Sequence, residues 1–191
     1  MINAILNNNK IQLTSNRGTK KTYAAVIYAL WKFNFGVKQA IGVSADKTVW
    51  SKEFVSNTIN LYNQLPTWLT VPSRNLKTSM TSANSTKIII DKADKNIFRG
   101  TPLTDLIIEA SSHINQDNFK NILNTVIPGM RGDSKIIVIE PHTDVPSDFI
   151  EINEFGEEFT EPVKTSKPIL KRTFKQIIKD IIESLYNKIK G

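Results

Sequence analysis

S-N-R-G-T-K-K-T, from Ser15 to Thr22, stands between a short apolar segment and a run with helical character, and its reading decides what the chain is built around. A phosphate-binding loop has a small residue, four others, then Gly-Lys-[Ser/Thr], placed after a strand and opening a helix. Ser15 takes the place of the first glycine, Lys21 that of the phosphate lysine, and Thr22 that of the magnesium hydroxyl. Lys20 takes the place of the second glycine, which ordinarily gives the backbone room to point successive N–H groups at phosphate oxygens. An ordinary turn with two solvated lysines is the competing reading of the same eight residues.

Working outward, Lys10–Thr14 reads as a short strand feeding the loop, and Thr22–Trp31 (T-Y-A-A-V-I-Y-A-L-W) as a helix apolar almost all round. Ala40–Ser44 has the form of a buried parallel strand. Ala45–Leu65 follows as a longer helix, with Val49, Trp50, Phe54, Ile59, Leu61 and Tyr62 as core candidates, and Pro66 ends it. Beyond a polar stretch that includes Ser79–Ser85, strands are expected at Thr86–Asp91, Leu103–Ile108 and Ser134–Ile139. A helix is expected at Gln116–Thr125 and a Gly-rich turn at Pro128–Asp133.

Strands alternating with helices predict an α/β fold, a mostly parallel sheet with helices on both faces. Ligands of such sheets sit at the carboxyl ends of the strands. Those ends carry Thr14–Thr22, Ser44-Ala45-Asp46, Glu109-Ala110 and Glu140-Pro141-His142.

Composition narrows the chemistry. The 191 residues, 40% of them hydrophobic, suffice for one sizeable core. With no cysteine and only His113 and His142, disulfides, thiolate zinc sites and histidine-rich metal clusters are excluded, so any metal would be held by oxygen. No apolar run reaches the length of a membrane span and the N-terminus lacks signal-peptide character, so a soluble intracellular protein is expected, with no membrane partner.

The net charge of +7 is unevenly placed. Asp144, Asp148, Glu151, Glu154, Glu157, Glu158 and Glu161 fall in a stretch without a basic residue, whereas the last thirty residues carry eight Lys or Arg against Asp180 and Glu183. The basic body suits either a polyanionic partner or a solvated lysine-rich face. Arg74, Lys77, Lys87, Lys92, Lys95 and Arg99 are candidates for a basic surface. His113 reads as a polar loop residue.

Three segments are expected: 1–143 as the nucleotide-binding-like domain, 144–164 as an acidic linker, and 165–191 as an amphipathic helix. In the last, Ile169, Leu170, Phe174, Ile177, Ile178, Ile181, Ile182, Leu185, Tyr186 and Ile189 recur at spacings of three and four. That helix either packs on its own sheet or docks on a partner protein.

The segment Ser15–Leu69, with K-K-T-Y-A-A-V-I-Y-A-L-W, I-G-V-S-A-D-K and N-L-Y-N-Q-L-P-T-W-L, resembles the ATPase domain of the tailed-bacteriophage terminase large subunit, a DNA-packaging motor protein. F-R-G-T-P-L-T-D-L-I-I-E-A-S-S-H-I resembles that family's approach to its Walker B strand, and D-S-K-I-I-V-I-E-P its coupling-motif strand. The resemblance covers roughly residues 10–142. It implies an additional-strand P-loop ATPase fold, ATP and magnesium as ligands, and double-stranded DNA as the transported partner.

Residue by residue, the resemblance assigns Ser15, Arg17, Gly18, Thr19, Lys20, Lys21 and Thr22 to the nucleotide loop, with Arg17 sensing the γ-phosphate and Lys21 on the β- and γ-phosphates. Thr22 and Glu109 would hold magnesium, and Glu140 falls in the coupling motif. Ala110 falls on the catalytic glutamate, which orients or deprotonates the attacking water, so hydrolysis by the isolated chain is expected to be weak or absent. Glu109 could take that role only if the register shifted by one, at the expense of the metal contact. All three chemical motifs are altered.

The expected function is a degenerate packaging ATPase domain in the infected host cytoplasm or the virion, meeting portal, small terminase or another phage protein through the C-terminal helix. The alternatives are a catalytically inactive structural or regulatory component of a phage particle, and a basic DNA-binding module. The resembled family has a longer segment before the first motif and a C-terminal nuclease domain. Neither is expected in this chain.

Overall fold

Apolar strands force the layout. A computed structural model describes residues 1–14, 20–94, 97–131, 134–140 and 144–152. In chain order the elements are α1 (Ile2–Asn7), β1 (Lys10–Leu13), α2 (Lys21–Phe35), β2 (Ala40–Ala45), α3 (Thr48–Gln64), β3 (Ser73–Leu76), β4 (Ser79–Ser82), β5 (Lys87–Lys92), β6 (Asp105–Ile108), α4 (Gln116–Val126), β7 (Lys135–Ile139) and β8 (Ile150–Ile152).

They form one sheet of order β3-β4-β5-β2-β6-β7-β1-β8. Every pairing from β5 to β8 is parallel, while β3·β4 and β4·β5 are antiparallel. The central strands β6 (D-L-I-I) and β7 (K-I-I-V-I) are buried along their whole length, as strands covered on both faces must be.

Alternation along β6 assigns its two faces. Leu106 and Ile108 join Ile136 and Val138 of β7 in a cluster closed by Phe119, Ile122, Leu123 and Val126 of α4. That helix is amphipathic and well capped: the Asn115 side chain accepts from Asn118 N at 2.8 Å, and Asp117 stands in its first turn. On the opposite face Asp105 meets α2, where the Tyr28 hydroxyl donates to its carboxylate and Lys32 Nζ lies 3.5 Å away. Helix α2 also packs on α1 and α3, which is why its apolar residues need no single stripe.

Gly42 of β2 is required by closeness. A Cβ there would meet Leu103 Cδ1 at 2.6 Å and Phe98 Cζ at 2.9 Å.

Three expectations are corrected. The polar stretch including Ser79–Ser85 contains β4 and follows β3, an antiparallel hairpin at the sheet edge. Its hydroxyl-rich sequence hides the strand because hydrogen bonds supply much of the order: Ser82 Oγ donates to Thr86 O at 3.2 Å and Thr86 Oγ1 to Gly36 O at 2.9 Å, and Met80 is the fully buried apolar anchor. Val49, expected in the core, is 66% exposed in the first turn of α3, whereas Phe54 and Leu61 farther along the helix are buried. Within the expected linker 144–164, Ile150–Ile152 pair with β1, so the sheet continues past residue 143. Lys10 and Asp148 form an ion pair beside that strand. The expected helix 165–191 lies outside the described residues.

Candidate functional site

The carboxyl ends of β1, β2, β6 and β7 converge on the N-terminus of α2, and the site is built from what each delivers. Beyond β1 come residues 15–19, and the expected loop positions Ser15, Arg17, Gly18 and Thr19 lie outside the described residues. Lys20 then enters α2 in the left-handed conformation, φ 59° and ψ 29°. This is the backbone geometry that favours glycine, at the position where a phosphate loop has its second glycine. Lys21, the first residue of α2, is buried, whereas Lys20 is exposed.

Thr22 and Glu109 meet. The Thr22 hydroxyl donates to Glu109 Oε1 at 2.8 Å, joining the first turn of α2 to the end of β6. The Glu109 backbone N–H donates to Ser44 O at 2.7 Å, which ties β6 to the end of β2. Glu109 as a whole is half-buried, but its second carboxylate oxygen, Oε2, is fully enclosed and has no hydrogen-bond partner among the described residues. Burial pushes its carboxyl up from 4.5 to about 7; the Thr22 hydrogen bond and Lys21 oppose the rise, while Glu140 and Glu53 add to it.

An enclosed carboxylate oxygen without a donor, beside a hydroxyl at a helix N-terminus, fits a hard oxygen-seeking cation such as magnesium. Thr22 and Glu109 are the residues that would hold it. Among the described residues no group of three or more His, Asp or Glu side chains forms a metal cluster, so phosphate and water oxygens would complete the coordination.

Glu140 ends β7 with φ 74°. Its N–H donates to Leu13 O at 3.2 Å, its carbonyl accepts from Ser111 Oγ at 2.6 Å, and its Oε2 accepts from Ser112 Oγ at 2.6 Å. Ala110, the residue after Glu109, is also left-handed, at φ 49°. Lys20 at the start of α2, Ala110 after β6 and Glu140 after β7 each occupy a conformation that L side chains seldom take, as do Lys38, Ser85 and Phe98 elsewhere in the fold.

Sequence reading assigned no role to Ser111 or Ser112, which anchor Glu140, because a short 3-10 turn of hydroxyl residues carries no local signal of its long-range partner. Nor did it pair His113 with Trp50. Their ring centroids are 5.0 Å apart, with Lys47 Nζ 5.3 Å from the Trp50 ring, so His113 is held against α3. Pro141 and His142 lie outside the described residues.

The sheet order and this site together discriminate among α/β folds: β7 is an additional strand between the loop strand β1 and the carboxylate strand β6. A similar fold is that of the Thermus phage P74-26 large terminase ATPase domain, which matches with a TM-score of 0.57 and 13% identity over 77% of this chain and 66% of that one. The chain has the fold of phage large-terminase ATPase domains.

The HK97 bacteriophage large terminase matches with a TM-score of 0.60 and 13% identity over 72% of this chain and 31% of that one. The large terminase of a thermophilic bacteriophage, solved in complex with ADP, matches with a TM-score of 0.54 and 9% identity over 71% of this chain and 34% of that one. The chain thus spans just under two thirds of the P74-26 terminase ATPase domain and about a third of the other two terminases. No family model and no curated protein matches the sequence. Among the described residues, no helix is long and apolar enough to cross a membrane.

Proposed function

We propose that this chain is a magnesium-nucleotide-binding domain of the terminase type, working in phage DNA packaging in the host cytoplasm. The observation that carries the reading is the 2.8 Å hydrogen bond from Thr22 to Glu109, which brings the hydroxyl after the phosphate lysine and the carboxylate at the end of β6 to one point. Lys21 neutralises phosphate charge, and the amides at the start of α2 add their partial positive charge. Magnesium, when bound, supplies charge neutralisation between the phosphates. The ADP-bound terminase of the thermophilic phage lends support by fold alone.

Lys20 in the second-glycine position and Ala110 after Glu109 favour slow turnover over the rapid cycling of a complete motor site. Double-stranded DNA is the polyanion suited to the exposed Arg74, Lys77, Lys87, Lys92 and Arg99. Docking to portal, small terminase or another phage protein is assigned to 165–191 on its amphipathic pattern.

Calorimetry of ATPγS binding to the full chain tests the reading. The expected result is magnesium-dependent binding, weakened at least roughly tenfold in Lys21→Ala and in Thr22→Ala. Equal affinity in all three proteins, or no binding by the native chain, overturns it.

A further inference from the structure

We propose that Glu140, at the end of the strand beside β6, supplies the water-activating carboxylate that Ala110 cannot. The proposal rests on the nucleotide-binding reading given above and names the residue that would make the site hydrolytic.

The sheet register carries the argument. Strands β6 and β7 are parallel, with Ile107 opposite Ile137 and Ile108 opposite Val138. Continued by two residues, that register sets Ala110 beside Glu140. Direct contacts agree: Ser111 Oγ donates to the Glu140 carbonyl and Ser112 Oγ to its carboxylate, both at 2.6 Å, so the chain immediately after Ala110 grips Glu140. A carboxylate absent from one strand end is thus present on the next.

Its position along the sheet is also suitable. Strand β7 lies between β1, which leads into the phosphate loop, and β6, which carries Glu109. Glu140 N donates to Leu13 O at 3.2 Å, placing it beside the last residue of β1. Glu140 therefore follows the strand that lies between β1 and β6. The left-handed backbone at φ 74° turns the chain sharply at this point, and such a conformation in a residue other than glycine is kept where the surroundings enforce it.

Ser112 fixes Oε2 and so sets the orientation of the carboxylate plane. The division of labour is then Glu109 with Thr22 for the metal and Glu140 for the water.

The reaction balances without a further reagent. The water oxygen forms a bond to the γ-phosphorus, and the bond from that phosphorus to the β–γ bridging oxygen breaks, its electron pair leaving on ADP. The Glu140 carboxylate accepts the water's proton and passes it to the departing phosphate.

Single-turnover phosphate release from ATP, measured on the full chain beside ATPγS affinity and thermal melting, tests this with two variants. Glu140→Gln keeps the shape and the acceptor for Ser112 but removes the base. The expected result is slow hydrolysis by the native chain, a loss of roughly 100-fold or more in Glu140→Gln with no loss of nucleotide affinity and a cooperative melt retained, and partial recovery in Ala110→Glu/Glu140→Gln. Hydrolysis unaffected by Glu140→Gln overturns the proposal, as does a native chain that binds nucleotide with magnesium yet releases no phosphate. A native chain that binds no nucleotide is a different result, and overturns the nucleotide reading itself.

Discussion

Thr22 Oγ1 and Glu109 Oε1 lie 2.8 Å apart although 87 residues separate them in the chain. The bond satisfies one oxygen of a carboxylate whose other oxygen is enclosed without a partner. Replacing Thr22 by Val keeps the volume and removes the donor, so both oxygens of Glu109 would then lack one. Thr22→Val is expected to cost about 1–3 kcal/mol in urea unfolding and to move the Glu109 titration further upward, readable by carboxyl-resolved NMR.

The raised Glu109 carboxyl gives stability a definite pH dependence. Its value rises from 4.5 to about 7 on folding, so the folded protein holds a proton that the unfolded chain releases between those values. The contribution is complete below pH 4.5 and is lost as pH climbs through about 7. Allowing for partial exposure, the amplitude is roughly 2–3 kcal/mol, and Glu109→Gln should flatten it in urea titrations run across this window.

The proposed metal binding follows the opposite course. Only the ionised carboxylate is a ligand, so magnesium-dependent nucleotide affinity should rise from about pH 6 to about pH 8, with proton release on binding. Calorimetry in buffers of different ionisation enthalpy measures that proton directly. Affinity that does not change with pH would remove Glu109 from the metal site.

Lys20 holds a left-handed backbone at the entrance to α2. A side chain there costs about 1–2 kcal/mol relative to ordinary helical geometry; glycine removes that strain, and its greater unfolded-state freedom cancels part of the gain. Lys20→Gly is expected to stabilise by about 0.5–1 kcal/mol in chemical denaturation, and Lys20→Val to destabilise by a similar amount.

Asp105, buried on the α2 face, accepts from Tyr28 and from Thr104 Oγ1 at 2.8 Å and pairs with Lys32 at 3.5 Å. Burial, the Asp105 charge and their hydrogen bond hold the Tyr28 hydroxyl protonated far beyond its usual range. Tyr28→Phe should cost about 1.5–3 kcal/mol and leave nucleotide affinity unchanged, since this network lies under the helix and away from the strand ends. Urea unfolding and ATPγS titration separate the two effects.

The central sheet was legible because its strands must be hydrophobic on both faces. I-G-V in β2, L-I-I in β6 and I-I-V-I in β7 announce buried parallel strands by side-chain type alone. The edges were not legible. β3 and β4 are polar strands held by antiparallel pairing with each other and with β5, with Met80 as the buried apolar residue, and β8 is three residues inside an acidic run. Val49 fits a helical stripe, yet in the first turn of α3 it faces solvent.

Of the site, the sequence alone determined the ingredients: a lysine and a threonine opening a helix after a strand, a glutamate and then an alanine ending one apolar strand, and a glutamate ending another. Each is a local fact, written in side-chain type and in a period of two or 3.6. Only the tertiary structure decided which strand ends stand side by side. Folding brings Thr22 of α2 to Glu109 at the end of β6, and the parallel register of β6 and β7, continued by two residues, sets Glu140 beside Ala110. Strand order arises from packing helices over a whole sheet, a non-local balance that no local pattern records.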